Sequence, residues 1–330
     1  MDNTAVSKLA LSTILLSLVL TKVSSLPVSS ADYCYTEKWC GPELWYDTFE
    51  GCAQTFALQQ SPVDLNPVYM IRNMSMAPLK LEGYDKLQSG SWSVINIRDT
   101  VAVKVGPGMR IKGGSLPDMY ETLYIAFHWG SAKSNGSEHT YNQRRYPMEM
   151  QIFHAVSPFT DVRTVIMEVP QAVAVLCVFI DIGPEDNPVF EAISGAIPSI
   201  PLPGDKKSIP PFVLRNLLPD DTSKFYRYPG SLHFPPCFYG VEYAVFEDPI
   251  YISQKQYNHF FTGVYYHEPE SPKKMLLHDN YRHIHPLFDR SISTSPNATI
   301  PKRSSGSALA ASLLAVLVAS LVSVLLARVA

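Results

Sequence analysis

The stretch "LYIAFHWGS", residues 123–131, decides how this chain is read. It is an apolar, aromatic run with one imidazole, and it closes on a Trp-Gly turn, the pattern of a strand ending at a loop. Zinc enzymes often set two histidines at i and i+2 of one strand, so that both side chains leave the same face. Here those two positions hold Ala126 and His128. The stretch therefore reads either as a metal site or as a metal site whose ligands are gone. More imidazoles and carboxylates follow in "NGSEHT" (135–140) and "YPMEMQIFHA" (146–155).

Outward from this strand, residues 52 to 291 alternate strand-like runs with turns. Examples are "SWSVINI" (91–97), "VAVKV" (101–105), "MRIKGG" (109–114), "VRTVIMEV" (162–169), "AVLCVFIDIG" (174–183) and "VEYAVFEDPIYIS" (241–253). Helices are expected in "NPVFEAISGAI" (187–197) and "SQKQYNHFFTG" (253–263), and "IPSIPLPGDKKSIPPF" (197–212) reads as a proline-rich loop. With 330 residues, 46% of them apolar and 17% charged, the chain can bury a sizeable core, and its 27 prolines favour a strand-rich domain over a helical bundle.

Both ends read as processing signals. Residues 1–25 have the form of a secretory signal, with Lys8 ahead of "LALSTILLSLVL" and small residues in "KVSS". At the other end "KRSSGS" (302–307) precedes an apolar tail, 308–330, in which Arg328 is the one basic residue. Small residues followed by such a tail fit a glycosylphosphatidylinositol (GPI) signal, with Ser304, Ser305, Gly306 and Ser307 as attachment candidates. Residues 292–307, rich in Ser, Thr and Pro, read as a solvated stalk carrying the attachment region. These segments place the protein on the extracellular face of the plasma membrane.

Without Lys8, Lys22, Arg328 and Asp2 the balance is 24 basic against 29 acidic residues, from 27 and 30, a net charge of −5. That balance argues against a nucleic-acid partner, and it weakens a polyanionic sugar partner without removing it. The five cysteines all lie in the exported part, where disulfides form. Five is odd, and Cys177, inside a buried-strand pattern, is the natural free thiol. Asn73, Asn135 and Asn297 stand in N-x-S/T sequons and are candidate glycan acceptors.

Eight motifs then occur in a fixed order: "GPELW" (41–45), "QQSPVDL" (59–65), "KGGSL" (112–116), "FHWG" (127–130), "GSEHT" (136–140), "YPGSLHFPPC" (228–237), "EDPIYIS" (247–253) and "DNYRHIHPLFDR" (279–290). Together they resemble the alpha-class carbonic anhydrases over residues 34 to 291, and the cysteine placement and tail look most like that family's membrane-anchored vertebrate form. The resemblance implies one α+β, mainly β domain over residues 26–291, around a large, mostly antiparallel twisted sheet with short surface helices. It also implies the pairs Cys34–Cys40 and Cys52–Cys237.

The same resemblance implies zinc on three histidines, and here the three positions are Ala126, His128 and Gln151. The threonine that orients zinc-bound hydroxide falls on His233, the position after it on Phe234, and the proton-shuttle histidine on Ser91. Glu138, His139 and Glu149, which support the ligands in the family, are kept. One imidazole and one amide do not meet the three-ligand requirement of catalytic zinc. The expectation is therefore no zinc cofactor and no carbonic anhydrase activity, with the fold serving recognition or adhesion toward an extracellular protein or glycan. His233 and Phe234 are expected to fill the old pocket, with His233 hydrogen-bonded to Glu138. The alternative is a residual or rebuilt zinc site, drawing on His128 and His233 with His154 or His139, that still hydrates carbon dioxide. His278, His283 and His285 are read as part of a chain segment laid on the sheet. His154 is read as a core residue satisfied elsewhere.

Overall fold

The computed structural model describes residues 33–53, 58–266 and 275–300. The signal segment, the attachment candidates Ser304, Ser305, Gly306 and Ser307, and the apolar tail lie outside the described residues. Among the described residues no helix is long and apolar enough to cross a membrane.

The strands that matter here are β1 (Met70–Arg72), β2 (Trp92–Asn96), β3 (Val101–Lys104), β4 (Tyr120–Trp129), β5 (Met148–Ala155), β6 (Val173–Gly183), β7 (Lys206–Ile209), β8 (Phe225–Ser231), β9 (Tyr239–Phe246) and β10 (Ile292–Thr294). They run in the order β7-β2-β3-β4-β5-β6-β9-β8-β10-β1 through a 13-stranded sheet. Most neighbours are antiparallel. The exceptions are β6 with β9, β6 with Ile250–Ser253, and β10 with β1.

Alternation along β4 and β5 creates two faces. Ile125, Phe127 and Trp129 join Met148, Met150 and Ile152 in one core. Tyr124, Ala126 and Phe153 enter a second core on the other face, with Val175, Cys177 and Tyr243. All eight residues of β5 are buried, so both faces of this strand exclude water. Each fully buried large apolar side chain there contributes about 1.5–3 kcal/mol. This double burial holds the centre of the sheet, and the candidate site with it, on a rigid platform.

Three sequence readings change. Val162–Glu168 is a helix (α1) rather than a strand. Asp161 caps it by accepting from Arg163 N, and Val162, Val165 and Ile166 bury one face at helical spacing. The proline-rich loop contains the edge strand β7. The stalk does not begin at residue 292, because Ile292–Thr294 pairs with β8 and β1. Its polar composition misleads because the hydroxyls serve the backbone: Ser295 Oγ accepts from Phe225 N at 3.1 Å, and Thr294 is fully buried. The helix expected in "SQKQYNHFFTG" is α2 (Gln254–Gly263), opened by a Ser253–Gln256 capping box.

Both implied disulfides are formed, Cys34–Cys40 and Cys52–Cys237, and Cys177 is a free, buried cysteine. Of the sequon asparagines, Asn135 and Asn297 are exposed and Asn73 is half-buried.

Candidate functional site

The register of β4 and β5 sets Ala126 opposite Gln151 and His128 opposite Glu149. All four lie on the face of the second core, where period-2 alternation aims them. The loop after β4 brings Glu138 and His139 beside them. This return depends on Gly136, where a Cβ would fall 1.8 Å from Gly130 N, so no other residue lets the two backbones lie so close.

His128 Nδ1 donates to Asn280 O at 2.6 Å, which leaves Nε2 as the acceptor of a neutral imidazole. His233 Nε2 lies 3.1 Å from that nitrogen and donates to it. On its other side His233 Nδ1 is 3.3 Å from the Tyr243 hydroxyl, which donates to Ser231 O at 2.8 Å. Burial pushes His128 down to about 4 and His233 well below the usual imidazole range. Both are therefore neutral near pH 7; His233 Nδ1 is then an acceptor, and the one proton of the Tyr243 hydroxyl serves either it or Ser231 O.

Glu138 Oε1 is 3.1 Å from His128 Nδ1. That N–H is spent on Asn280, however, and Oε1 has no hydrogen-bond partner among the described residues. The other oxygen accepts from Arg282 N at 3.2 Å. Burial, then the neighbouring Glu149 charge, raise the Glu138 carboxyl well above the ordinary range. Glu149 behaves oppositely. Burial alone would raise it, but the His139 charge and the donors His139 Nδ1 (2.9 Å), His139 N (2.8 Å) and Gln151 Nε2 (2.8 Å) outweigh that and hold it at about 2. Gln151 thus supplies Glu149 with a donor, and its own Oε1 is left buried without a partner.

The structure brings Ala126, His128, Gln151, His233, Phe234, Glu138, His139 and Glu149 into one region and leaves Ser91 exposed outside the pocket. It corrects two expectations and bears out a third, that of His154 as a core residue satisfied elsewhere. His233 does not hydrogen-bond Glu138, which lies 4.0 Å away; it bonds His128 instead. His139 is not available to a rebuilt site, since Nδ1 meets Glu149 and Nε2 meets the Tyr228 hydroxyl at 2.6 Å. His154 points to the opposite face of β5, where Nε2 meets the Tyr84 hydroxyl at 2.6 Å and Nδ1 donates to Ala174 O at 3.2 Å. Asn280, Arg282 and Tyr243 shape the site as strongly as the residues the sequence singled out. The contacts of Asn280 and Arg282 cross 152 and 144 residues of chain, a reach no local spacing carries, while Tyr243 meets His233 from 10 residues on, across the turn between β8 and β9.

The donors of His128, Glu138 and His233 lie within 4.8 Å of one another, as do those of His139, Glu149 and Cys177. Catalytic zinc takes three protein ligands, with thiols deprotonated. In the first group an ion shared by the two Nε2 atoms would face only two imidazoles, because Glu138 Oε1 sits against Nδ1, the other ring nitrogen of His128. In the second, burial raises the Cys177 thiol well above its usual range, and both His139 nitrogens are engaged. Neither group, as arranged, presents the full ligand set of catalytic zinc.

His154 gives a pH dependence that can be checked. Burial holds it at about 3, against about 6.5 for an unfolded histidine. A depressed folded value means its contribution to stability is complete above about pH 6.5 and is lost as pH falls toward 3, at about 1.4 kcal/mol per pH unit. Urea unfolding of the ectodomain should therefore weaken between pH 6.5 and 4 by about 3 kcal/mol more than that of His154→Gln. Parallel profiles for the two proteins would overturn this account of the core.

The central strands of this sheet carry a pocket lined by Ala126, His128, Phe153 and His233. Residues 40–296 match the model of the eukaryotic-type carbonic anhydrases, and the chain belongs to that family. It is similar to carbonic anhydrase 4 of Mus musculus, 33% identical over 257 residues, which cover 77% of this chain and 79% of that protein. It is also similar to carbonic anhydrase 15 of Mus musculus, 31% identical over 305 residues, covering 89% of this chain and 92% of that one. A third relative is receptor-type tyrosine-protein phosphatase zeta of Homo sapiens, 30% identical over 241 residues, covering 72% of this chain and 10% of the phosphatase.

Proposed function

We propose that this protein is a carbonic anhydrase-fold recognition module of the cell surface that holds no catalytic zinc and hydrates no carbon dioxide. The observation that carries the reading is the pairing across β4 and β5. Ala126 faces Gln151, and the remaining imidazole, His128, spends its free nitrogen on His233 at 3.1 Å. Without zinc, the water that the metal would activate has nothing there to lower its pKa. A matching stretch inside a receptor-type phosphatase supports a recognition role for the fold, here toward an extracellular protein or glycan. The Ser-rich segment and apolar tail support GPI attachment among Ser304, Ser305, Gly306 and Ser307, with the tail removed.

Metal analysis of the purified ectodomain should find far less than one zinc per chain, with carbon dioxide hydration no faster than buffer and indifferent to acetazolamide. Near-stoichiometric zinc with inhibitable hydration would sink the reading. Release of the protein from intact cells by a phosphatidylinositol-specific phospholipase tests the anchor, and retention after treatment would refute it.

The second reading, a rebuilt zinc site, is favoured by one observation: the convergence of His128, Glu138 and His233 within 4.8 Å. The same metal analysis separates the two, and His233→Ala would then strip the zinc.

A further inference from the structure

The two ends of the strand order are protected differently. At one end β7 exposes Lys206 and Lys207, and charges on an edge strand discourage pairing with another chain. At the other end β1 pairs with β10 and with no other strand among the described residues, so its outer side is an open edge. That edge carries no comparable guard. Ile71 is 60% exposed, and Tyr69 and Met74 close by in the chain are 61% and 73% exposed. Arg72, the one charge on β1, turns back and donates from Nη1 to Pro296 O. An open edge beside large exposed apolar side chains is a template for a second chain, and natural folds charge or cover such an edge.

The residue that can cover this edge follows β1 directly. Asn73 opens the sequon Asn73-Met74-Ser75, and its backbone N–H donates to Thr294 O at 3.0 Å, so it prolongs the line of β1 along β10. Asn73 stands at i+2 from Ile71, and in extended chain two such side chains leave the same face. Ser75 N and Ser75 Oγ donate to Asn73 Oδ1 at 3.0 and 2.7 Å. These bonds hold the amide by its oxygen, and Nδ2 makes no hydrogen bond among the described residues. The other two sequon amides are engaged: Asn135 Nδ2 donates to Arg145 O at 2.9 Å and Asn297 Nδ2 to Ser223 Oγ at 3.0 Å. Asn73 is thus the sequon whose nitrogen takes a substituent without disturbing a native bond, and it stands at the unguarded edge.

We propose that Asn73 carries an N-linked glycan whose inner sugars lie over Ile71 and Met74 and close the β1 edge against a second copy of this chain. The bond forms between Asn73 Nδ2 and the anomeric carbon of an oligosaccharide held on a lipid diphosphate, the donor of the secretory route. The carbon–oxygen bond to the diphosphate breaks, the lipid diphosphate leaves, and the amide gives up one proton. A glycan is bulky and solubilising, so it does at β1 what Lys206 and Lys207 do at β7. The inference rests on export of the chain and is independent of the pocket, of metal content and of the membrane anchor.

The test uses the ectodomain secreted from cultured animal cells, with glycopeptides mapped by mass spectrometry and mass in solution read by sedimentation. Asn73 should be occupied in most molecules, and the parent should sediment as a monomer. Asn73→Gln should self-associate at least about tenfold more tightly than the parent. Ser75→Ala, which keeps the asparagine and destroys the sequon, should do the same, and Asn297→Gln should stay monomeric. Adding Ile71→Lys to Asn73→Gln should restore the monomer, because a charge then guards the edge. A folding fault caused by the missing sugar would not be repaired by that lysine, so failure of the rescue overturns the inference even where the single variant is poorly secreted. Variants without the sequon that remain monomeric overturn it as well. A dimeric parent with a bare Asn73 assigns the edge to a second copy and overturns it too. Sugar on Asn135 or Asn297 with none on Asn73 refutes this inference and leaves export standing, whereas a chain that is never exported refutes both.

Discussion

Replacing Ala126 and Gln151 together by histidine is expected to yield a protein that binds zinc tightly and still hydrates carbon dioxide poorly. The two positions face each other across β4 and β5 and share a face with His128, so the new imidazoles would complete a three-histidine set on a rigid platform. Zinc affinity should rise on the order of a thousandfold or more over the parent, about 4 kcal/mol. Turnover should not follow, because His233 Nε2 already lies 3.1 Å from His128 Nε2. In the variant it becomes a fourth nitrogen donor and closes the tetrahedron where water must bind, and closed four-ligand zinc is structural rather than catalytic. Adding His233→Thr should open that position and place a hydroxyl where it can orient zinc-bound hydroxide. Phe234→Thr would then clear the pocket wall. Zinc titration with a chromophoric competitor and stopped-flow hydration assays would separate the steps. A two-histidine variant that turned over as fast as the four-substitution one would show that His233 does not obstruct the metal.

Some of this was legible in the sequence because the decisive residues are neighbours along the chain. Ala126 and His128 are two apart on one strand, as are Glu149 and Gln151, and period-2 alternation sends each pair to one face. Glu138 and His139 follow 10 and 11 residues after His128. What stayed hidden is non-local or switches period. His233 was expected to meet Glu138, yet the turn after β8 carries its ring onto His128, 105 residues away in sequence. Val162–Glu168 reads as a strand by its β-branched content, but Asp161 at its start and the 3–4 spacing of its buried residues make it a helix. The Ser/Thr-rich run after residue 291 reads as solvent-facing by composition alone. Its first residues instead close the sheet, since short hydroxyl side chains can satisfy a backbone edge from inside the fold.

Breaking the Cys52–Cys237 bond is expected to destabilise the ectodomain far more than breaking Cys34–Cys40. The first joins residues 185 apart and the second residues 6 apart. By loop-closure entropy alone the first is worth about 5 kcal/mol and the second about 2 kcal/mol. In a domain of this size those figures correspond to roughly 10 °C and 4 °C in melting temperature. The native contacts push the same way. Cys52 and Cys237 pack with Trp45 and Tyr33 in a small separate core, with Phe234 against it, so the long-range bond ties the N-terminal segment to the turn that holds His233 and Phe234. At that junction the chains are so close that a Cβ on Gly51 would fall 2.2 Å from Pro236 O. Loss of the bond should therefore loosen the pocket floor as well as free the N-terminal segment. Cys34–Cys40, by contrast, closes a short turn already held by Cys34 N donating to Cys40 O at 2.8 Å. The comparison is Cys52→Ser/Cys237→Ser against Cys34→Ser/Cys40→Ser as secreted ectodomains, read by calorimetry and by yield. A larger loss in the second pair would mean that the short loop, rather than the long-range tie, holds the N-terminal segment in place.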